Sequence, residues 1–194
     1  MPIDEAEVRR LVEDGQTHQA LEAILEQHGS AFYGFIAGLL QNDALAADAY
    51  QLFSIRLWRA LPEFQWRSQL KTWAYKIARN AAYRTAQDPY RRRSKRLGTL
   101  EQEKLSAKWT RTATALFKQT EAKQKLWDLV AGLPAEDREL LILRLGRRMA
   151  WKEIAAILHE GEADPQVLTA KAATARKRFE RLKEKLKRDL VPEG

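Results

Sequence analysis

Aromatic and basic side chains alternate between residues 57 and 84, and no other part of the chain points as directly to a chemical role. The stretch Leu-Trp-Arg-Ala-Leu-Pro-Glu-Phe at 57–64 leads into a short loop that carries Phe64 and Trp66. A second stretch, Leu-Lys-Thr-Trp-Ala-Tyr-Lys-Ile-Ala-Arg-Asn, follows at 70–80. Aromatic rings stack on unpaired bases at roughly 1–3 kcal/mol per base, while lysine and arginine hold the phosphates. The pattern predicts the capture of single-stranded nucleic acid.

The helix predicted over 69–86 divides into an apolar stripe and a polar face. The stripe consists of Leu70, Trp73, Ala74, Ile77, Ala78 and Ala81. Trp58 and Trp73 lie in or beside apolar stripes, so we expect both in the core. The opposite face of the helix is polar and includes Thr72. This face is either an ordinary exposed surface or a surface that contacts DNA. The predicted contacts to melted DNA are Phe64, Trp66, Lys71, Tyr75, Lys76, Arg79, Asn80 and Tyr83.

The composition excludes several classes of function. The chain of 194 residues has no cysteine, so disulfides and thiolate metal sites are excluded. Its three histidines are far apart in the sequence, and no nucleophile motif, phosphate loop or metal-ligand spacing is present. We therefore predict no enzyme activity, no metal and no cofactor. There is no apolar run of membrane-spanning length and no signal-peptide pattern, so we expect a cytoplasmic protein without membrane insertion.

Charge is distributed unevenly along the chain. Residues 1–64 carry four arginines and ten carboxylates, a net charge of −6, whereas residues 65–194 carry 30 basic and 16 acidic groups, a net charge of +14. A basic half is either a solvated surface or a nucleic-acid surface. We favour nucleic acid for the basic half and a protein partner for the acidic one.

Helical periodicity dominates and predicts an all-α protein of two small domains. The first domain, 1–96, is expected to contain helices at 4–14, 17–28, 30–41, 43–61 and 69–86, with breaks near Gly15 and Gly29 and a stop at Pro62. Residues 97–122 are polar and are predicted to be a flexible linker. The basic run at 91–96 is either linker or a contact to DNA phosphates.

The second domain, 123–194, is predicted to contain a helix-turn-helix. Pro134 suits the first position of a helix whose leucines at 140, 141, 143 and 145 make it largely buried, and Gly146 suits its end. A short helix at 151–158 is followed by a polar loop. Asp164-Pro165 then forms a good N-cap and first turn for a long basic helix.

The long helix has an apolar face and a polar face. The residues expected to pack inward are Leu168, Ala172, Ala175, Phe179, Leu182 and Leu186. The opposite face belongs either to a coiled-coil-like helix with solvated charges or to a recognition helix in the major groove. On the second interpretation, the base-edge candidates are Gln166, Thr169, Lys171 and Thr174, and the phosphate candidates are Arg176, Lys177, Arg178 and Arg181.

These motifs, in this order and spacing, resemble the extracytoplasmic-function (ECF) subgroup of bacterial sigma factors. Residues 25–86 resemble the sigma region 2 bundle through Leu-Glu-Gln-His-Gly at 25–29, Asp-Ala-Tyr-Gln at 48–51, and the two aromatic stretches. Residues 123–190 resemble the region 4 helix-turn-helix. The resemblance implies that region 2 binds the clamp of core RNA polymerase and melts the minus-ten element. It implies that region 4 binds the polymerase flap and reads the minus-thirty-five element.

The resemblance also implies a polymerase-docking face on the helix 43–61. By matched position its residues are Asp48, Gln51, Ile55, Arg56 and Arg59. The chain departs from the family at Leu52, where an acidic residue is common, and at Ser54, where a large apolar one is common. It also departs at Ala150, where serine or threonine usually caps the helix, and in a loop at 159–164 that is about three residues longer than usual.

Two further interpretations come from other classes of protein. The last 70 residues alone would suit a helix-turn-helix regulator that binds duplex DNA without polymerase, but this leaves the aromatic segment unexplained. An enzyme with a buried carboxylate pair would show no motif in the sequence.

Many ECF sigma factors are held inactive by an anti-sigma factor, so such a protein is a further candidate partner. We expect no sensory extension beyond residue 194.

Overall fold

A computed structural model describes residues 4–88, 129–159, 161 and 164–190. Every element of regular structure in these ranges is a helix and none is a strand, which confirms the all-α prediction. The chain divides into two compact units, Met1–Trp109 and Thr110–Gly194. The basic run 91–96 and the linker 97–122 lie outside the described residues, so the domain limits 1–96 and 123–194 stay predictions.

Among its described residues, 4–88, the first unit contains four α-helices. They are α1 (Glu5–Glu13), α2 (Thr17–Leu40), α3 (Asp43–Ala60) and α4 (Leu70–Gln87), with a 3₁₀ turn at Leu61–Glu63 after α3. Gly15 has a φ of 76°, which ends α1 as the sequence predicted. The Asn42 side chain accepts a hydrogen bond from the Leu45 N–H at 3.0 Å and so caps α3.

The predicted break at Gly29 is wrong, because α2 runs unbroken from Thr17 to Leu40. Gly29 serves helix packing instead. A Cβ atom at this position would lie 2.7 Å from the hydroxyl oxygen of Tyr50 on α3. The absence of a side chain therefore lets α2 and α3 approach closely, and the helix tolerates the lower propensity of glycine.

The core of the first unit is aromatic and is covered by small residues of α4. The Tyr75 ring lies 4.9 Å from Phe32 and 5.2 Å from Phe35, both in edge-on geometry, and Phe32 lies 5.1 Å from Phe53. The alanines of α4 at 74, 78, 81 and 82 are buried against this core. Tyr75 and Thr72 are buried, whereas Trp73 and Ile77 are only half-buried. The buried stripe of α4 is thus rotated from the predicted one.

In its described part the second unit contains helical residues at 129–131, followed by the helices α5 (Ala135–Leu141), α6 (Trp151–Leu158) and α7 (Pro165–Leu190). Pro134 is the N-cap of α5 rather than its first helical residue, which corrects the prediction by one position. A π-helical turn, Ile142–Gly146, continues α5 and ends at the predicted glycine. Leu140, Leu141 and Leu143 are buried as predicted, but Leu145 is 61% exposed.

α6 and α7 form the predicted helix-turn-helix. Ala172, Ala175, Phe179, Leu182 and Leu186 of α7 are buried, and the Phe179 ring lies 5.4 Å from Trp151 of α6. The Asp164 carboxylate accepts a hydrogen bond from the Gln166 N–H at 2.7 Å, which confirms the predicted N-cap. Ala150 has no side-chain acceptor, but its N–H donates to the Glu153 carboxylate at 2.6 Å and so keeps half of a capping box.

Candidate nucleic-acid interface

Three aromatic rings pack together where the loop meets α4, and we call Phe64, Trp66 and Trp73 the aromatic cluster. Phe64 stacks on Trp73 with 4.3 Å between ring centroids and 21° between ring planes. Trp66 packs against Phe64 in a tilted arrangement, with 4.7 Å between ring centroids and 52° between ring planes. All three residues are half-buried, so part of each remains at the surface. The arrangement is an ordered aromatic platform rather than a buried core.

Trp66 has an unusual backbone conformation. Its φ is 56°, in the left-handed region that residues with a Cβ seldom adopt. Such a conformation costs about 1–3 kcal/mol and persists only where surrounding contacts hold it. The contacts of the indole with Phe64 and with the Arg9 guanidinium, 5.7 Å from the ring centroid, supply part of that support.

The outer face of α4 carries a basic and aromatic stripe. Lys76, Asn80 and Tyr83 follow one another at intervals of four and three residues, and Trp73 lies three residues before Lys76 on the same face. The Arg79 guanidinium lies 4.8 Å from the Tyr83 ring centroid. Because Trp73 belongs to both groups, the aromatic cluster and the α4 stripe form one continuous surface.

Two of the predicted contacts to melted DNA do not belong to this surface. Tyr75 is completely buried in the aromatic core, so its selection as a base contact was wrong. Lys71 lies about 140° round the helix from Lys76. It lines a small cavity of about 50 Å³ together with Glu5 and His28. Burial and the nearby Lys71 ammonium lower the pKa of His28.

The exposed face of α3 has an apolar centre that the sequence only partly indicated. Ile55 is 48% exposed and Trp58 is 45% exposed, with Gln51 and Arg59 exposed beside them and Asp48 half-buried at the same face. The prediction that Trp58 lies in the core was wrong. It comes one position, or about 100°, after the buried Leu57, and that rotation carries it out of the core.

Arg56 differs from the other residues predicted to dock on polymerase. It is half-buried at the edge of this face, and its pKa is lowered by burial and by the neighbouring charge of Arg84 on α4. Ser54 donates a hydrogen bond to the Tyr50 carbonyl at 3.0 Å, and Leu52 is half-buried. Neither of these two departures from the family pattern disturbs α3.

The polar face of α7 is exposed as predicted. The exposed residues include Gln166, Thr169, Lys171, Thr174, Arg176, Lys177, Arg178 and Arg181. Thr169 and Thr174 donate their hydroxyl protons to carbonyls one turn earlier, at 2.9 and 3.1 Å. Their oxygens therefore remain at the surface as acceptors.

Arg178 has partners within the protein. Its guanidinium donates to Glu136 at 2.7 Å and to Asp137 at 2.6 Å, both in the first turn of α5. The two carboxylates raise the pKa of Arg178. This ion pair ties α7 to α5, so Arg178 has a structural role in addition to its predicted contact with phosphate.

Comparison with known proteins identifies the first unit. Residues 24–96 match the family model for Sigma-70 region 2. The chain is also similar to the ECF RNA polymerase sigma factor SigM of Bacillus subtilis (strain 168), with 24% identity over 144 residues. That alignment covers 74% of this chain and 85% of the relative.

The segment 24–96, which carries the aromatic cluster, is thus similar to sigma-70 region 2. The family match and the similarity to SigM both point to a sigma factor of the ECF type. This confirms the resemblance found in the sequence. In the part of the chain that the structure describes, none of the helices is both long and apolar enough to cross a membrane.

Proposed function

We propose that this protein joins core RNA polymerase, directs it to promoters by two-point recognition, and opens the minus-ten element by capturing unpaired bases. The observation that carries the proposal is the continuous surface of the aromatic cluster and the α4 stripe. It combines exposed ring area with lysine and arginine, which are the groups that single-stranded DNA requires. On this proposal the protein has no catalytic activity of its own.

Docking on the polymerase clamp is assigned to the exposed face of α3. Ile55 and Trp58 supply an apolar centre, and Gln51 and Arg59 supply a polar rim, an arrangement typical of protein interfaces. Tryptophan is enriched among residues that dominate binding energy. We therefore expect Trp58→Ala to weaken core-polymerase binding by at least about tenfold, corresponding to about 1.4 kcal/mol.

A titration of core polymerase with labelled variants tests this docking face. Arg10→Ala on α1 is the matched control, because Arg10 is exposed and pairs only weakly with Glu7 at 3.7 Å. Gln51→Ala combined with Arg56→Glu should weaken binding as well. Affinities unchanged from the wild type in both α3 variants would remove the docking assignment.

Base capture is assigned to the aromatic cluster, with Lys76, Arg79, Asn80 and Tyr83 along the path of the strand. Stacking at roughly 1–3 kcal/mol per base is sufficient to offset the few kcal/mol that unpairing costs. Trp73 was expected in the core, but its place under Phe64 gives it a supporting role in the platform. Lys71 is left with no direct contact to the strand in this proposal.

Recognition of the minus-thirty-five element is assigned to the exposed face of α7. Its first turns offer Gln166, Thr169, Lys171 and Thr174 to base edges, and its later turns offer Arg176, Lys177 and Arg181 to phosphates. Replacing Lys171 by alanine should reduce the affinity that depends on the base at one promoter position, and it should leave the preference at other positions unchanged. A loss that is uniform across sequences would instead make Lys171 a phosphate contact.

The proposal is tested as a whole by run-off transcription with purified core polymerase. The template is a promoter selected from random-sequence DNA by the wild-type holoenzyme. We expect transcripts with the wild type and a loss of transcripts with Trp66→Ala, while polymerase binding is retained. Tight binding of the protein alone to duplex DNA, without polymerase-dependent transcripts, would instead support the polymerase-independent regulator.

Control by an anti-sigma factor is a further part of this proposal, and it rests on the resemblance to ECF sigma factors alone. The exposed apolar face of α3 offers such a factor a surface that would compete with polymerase. Co-purification of a protein that blocks core-polymerase binding would support it.

A further inference from the structure

We infer that α1 is part of the promoter-opening apparatus, with Glu5 and Arg9 acting as positioning residues for the aromatic cluster. This inference rests on the proposed function of that cluster in base capture. The match to Sigma-70 region 2 begins at residue 24, so α1 lies outside it. Two side chains of α1 nevertheless contact the loop after residue 63 and the first residue of α4, through Arg9 with Trp66 and Glu5 with Leu70.

Glu5 completes the N-terminus of α4. The Gln69 side chain makes no capping hydrogen bond, although it occupies the N-cap position. The Glu5 carboxylate accepts a hydrogen bond from the Leu70 N–H at 3.1 Å, across 65 residues of sequence. A carboxylate at this end also interacts favourably with the helix dipole. Glu5 thereby fixes the point at which the loop becomes α4.

Arg9 lies one turn after Glu5 and supports the strained residue of the loop. Its guanidinium is 5.7 Å from the Trp66 ring centroid, within the range of a cation–π interaction. Glu13 holds that guanidinium through a contact of 2.8 Å. Trp66, with its φ of 56°, needs such support to keep a single conformation.

Val8 anchors α1 between these two contacts. It is 1% exposed and lines the cavity shared by α2 and α4 with Ile24 and Leu70. An isolated helix of nine residues is marginal in water, so α1 depends on this docking for its structure. The order of the loop and the docking of α1 are therefore coupled.

The experiment measures the rate at which the full-length holoenzyme opens a promoter selected by the wild type. 2-Aminopurine in the melted segment reports opening, and the polymerase affinity and thermal midpoint of each variant are measured alongside. We expect Arg9→Ala to slow opening by about two- to fivefold, the factor expected for loss of one exposed cation–π contact. Glu5→Ala should slow it by about fivefold, as for loss of a helix cap.

Conservative variants separate positioning from a general loss of stability. Arg9→Lys keeps a cation over the ring and Glu5→Gln keeps an acceptor oxygen, so both should restore most of the opening rate. Hydrogen exchange at the Leu70 amide should quicken in Glu5→Ala and stay slow in Glu5→Gln. Arg10→Ala should match the wild type in opening rate, polymerase affinity and exchange.

Trp66→Ala distinguishes the failure of this inference from the failure of the proposed function. Slow opening in Trp66→Ala with normal opening in both alanine variants of α1 would overturn the inference alone. Normal opening in Trp66→Ala would overturn the base-capture role and the inference with it. A fall in thermal midpoint and polymerase affinity that accounts for the slower opening of the α1 variants would also overturn the inference.

Discussion

The close approach of α2 and α3 at Gly29 predicts a change of sign in a double-mutant cycle. In Gly29→Ala the new methyl group would lie 2.7 Å from the Tyr50 hydroxyl oxygen, so one of the two must move by several tenths of an ångström. The Tyr50 ring is held by Tyr33 at 5.6 Å and by Phe53 at 5.7 Å, which limits that movement.

The magnitude follows from two opposing terms. Overpacking typically costs 1–3 kcal/mol, whereas alanine is favoured over glycine in a helix by about 0.8–1 kcal/mol. We therefore expect Gly29→Ala to lower the free energy of unfolding by about 1 kcal/mol. Tyr50→Phe removes the clashing oxygen, and the nearest ring carbon is then 3.9 Å away, an ordinary contact. In that background Gly29→Ala should raise the free energy of unfolding by about 0.5–1 kcal/mol.

Urea unfolding of the full chain, followed by circular dichroism, measures all four corners of the cycle. The expected coupling between the two sites is about 1–3 kcal/mol, well above the error of such measurements. Equal effects of Gly29→Ala in both backgrounds would refute the packing argument. They would indicate that Gly29 acts through helix propensity alone.

Three further predictions concern other parts of the molecule. Tyr75→Ala should destabilise the first unit by about 3–5 kcal/mol in urea unfolding, while Tyr75→Phe should open promoters normally; folded Tyr75→Ala that fails only in opening would contradict its burial. The pKa of His28 is lowered from 6.5 in the folded state, so the folded chain binds that proton less tightly than the unfolded chain does. The free energy of unfolding should therefore fall as the pH drops through 6.5. His28→Gln should flatten the dependence of the free energy of unfolding on pH between about pH 5 and 7, and an unchanged dependence would contradict this account. Arg178→Ala should lower the free energy of unfolding of the second unit by up to about 1 kcal/mol at low salt and by less in 1 M salt, and an effect independent of salt would show that the ion pairs are not its cause.

Helical periodicity predicted the elements because each amphipathic helix buries one face. The limits of α3, α4 and α6, and the N-cap at Asp164, came within one or two residues of the observed ones. Gly29 was misread because glycine lowers helix propensity by only about 1 kcal/mol, which packing against Tyr50 outweighs. Local sequence does not reveal that packing partner.

The candidate site was predicted less evenly than the fold. Phe64 and Trp66 were predicted as base contacts from their place in a loop, and the structure shows their rings in contact with each other and partly exposed. Tyr75 was predicted at the surface but is buried, and Trp58 was predicted in the core but is exposed. An aromatic side chain at the edge of an apolar stripe is buried or exposed according to the neighbouring helices. On α4 the other buried residues include small alanines, and Tyr75 is buried with them. The contacts from α1 were not foreseen, because they join residues about 60 positions apart.

Competition for core RNA polymerase tests the central claim most directly. The protein is titrated into core polymerase that carries a fluorescently labelled primary sigma factor, and release of the label is measured by anisotropy. We predict release at stoichiometric concentrations of the wild type and weaker competition by Trp58→Ala. Retention of the label at every concentration of the folded wild-type protein would contradict the proposed function.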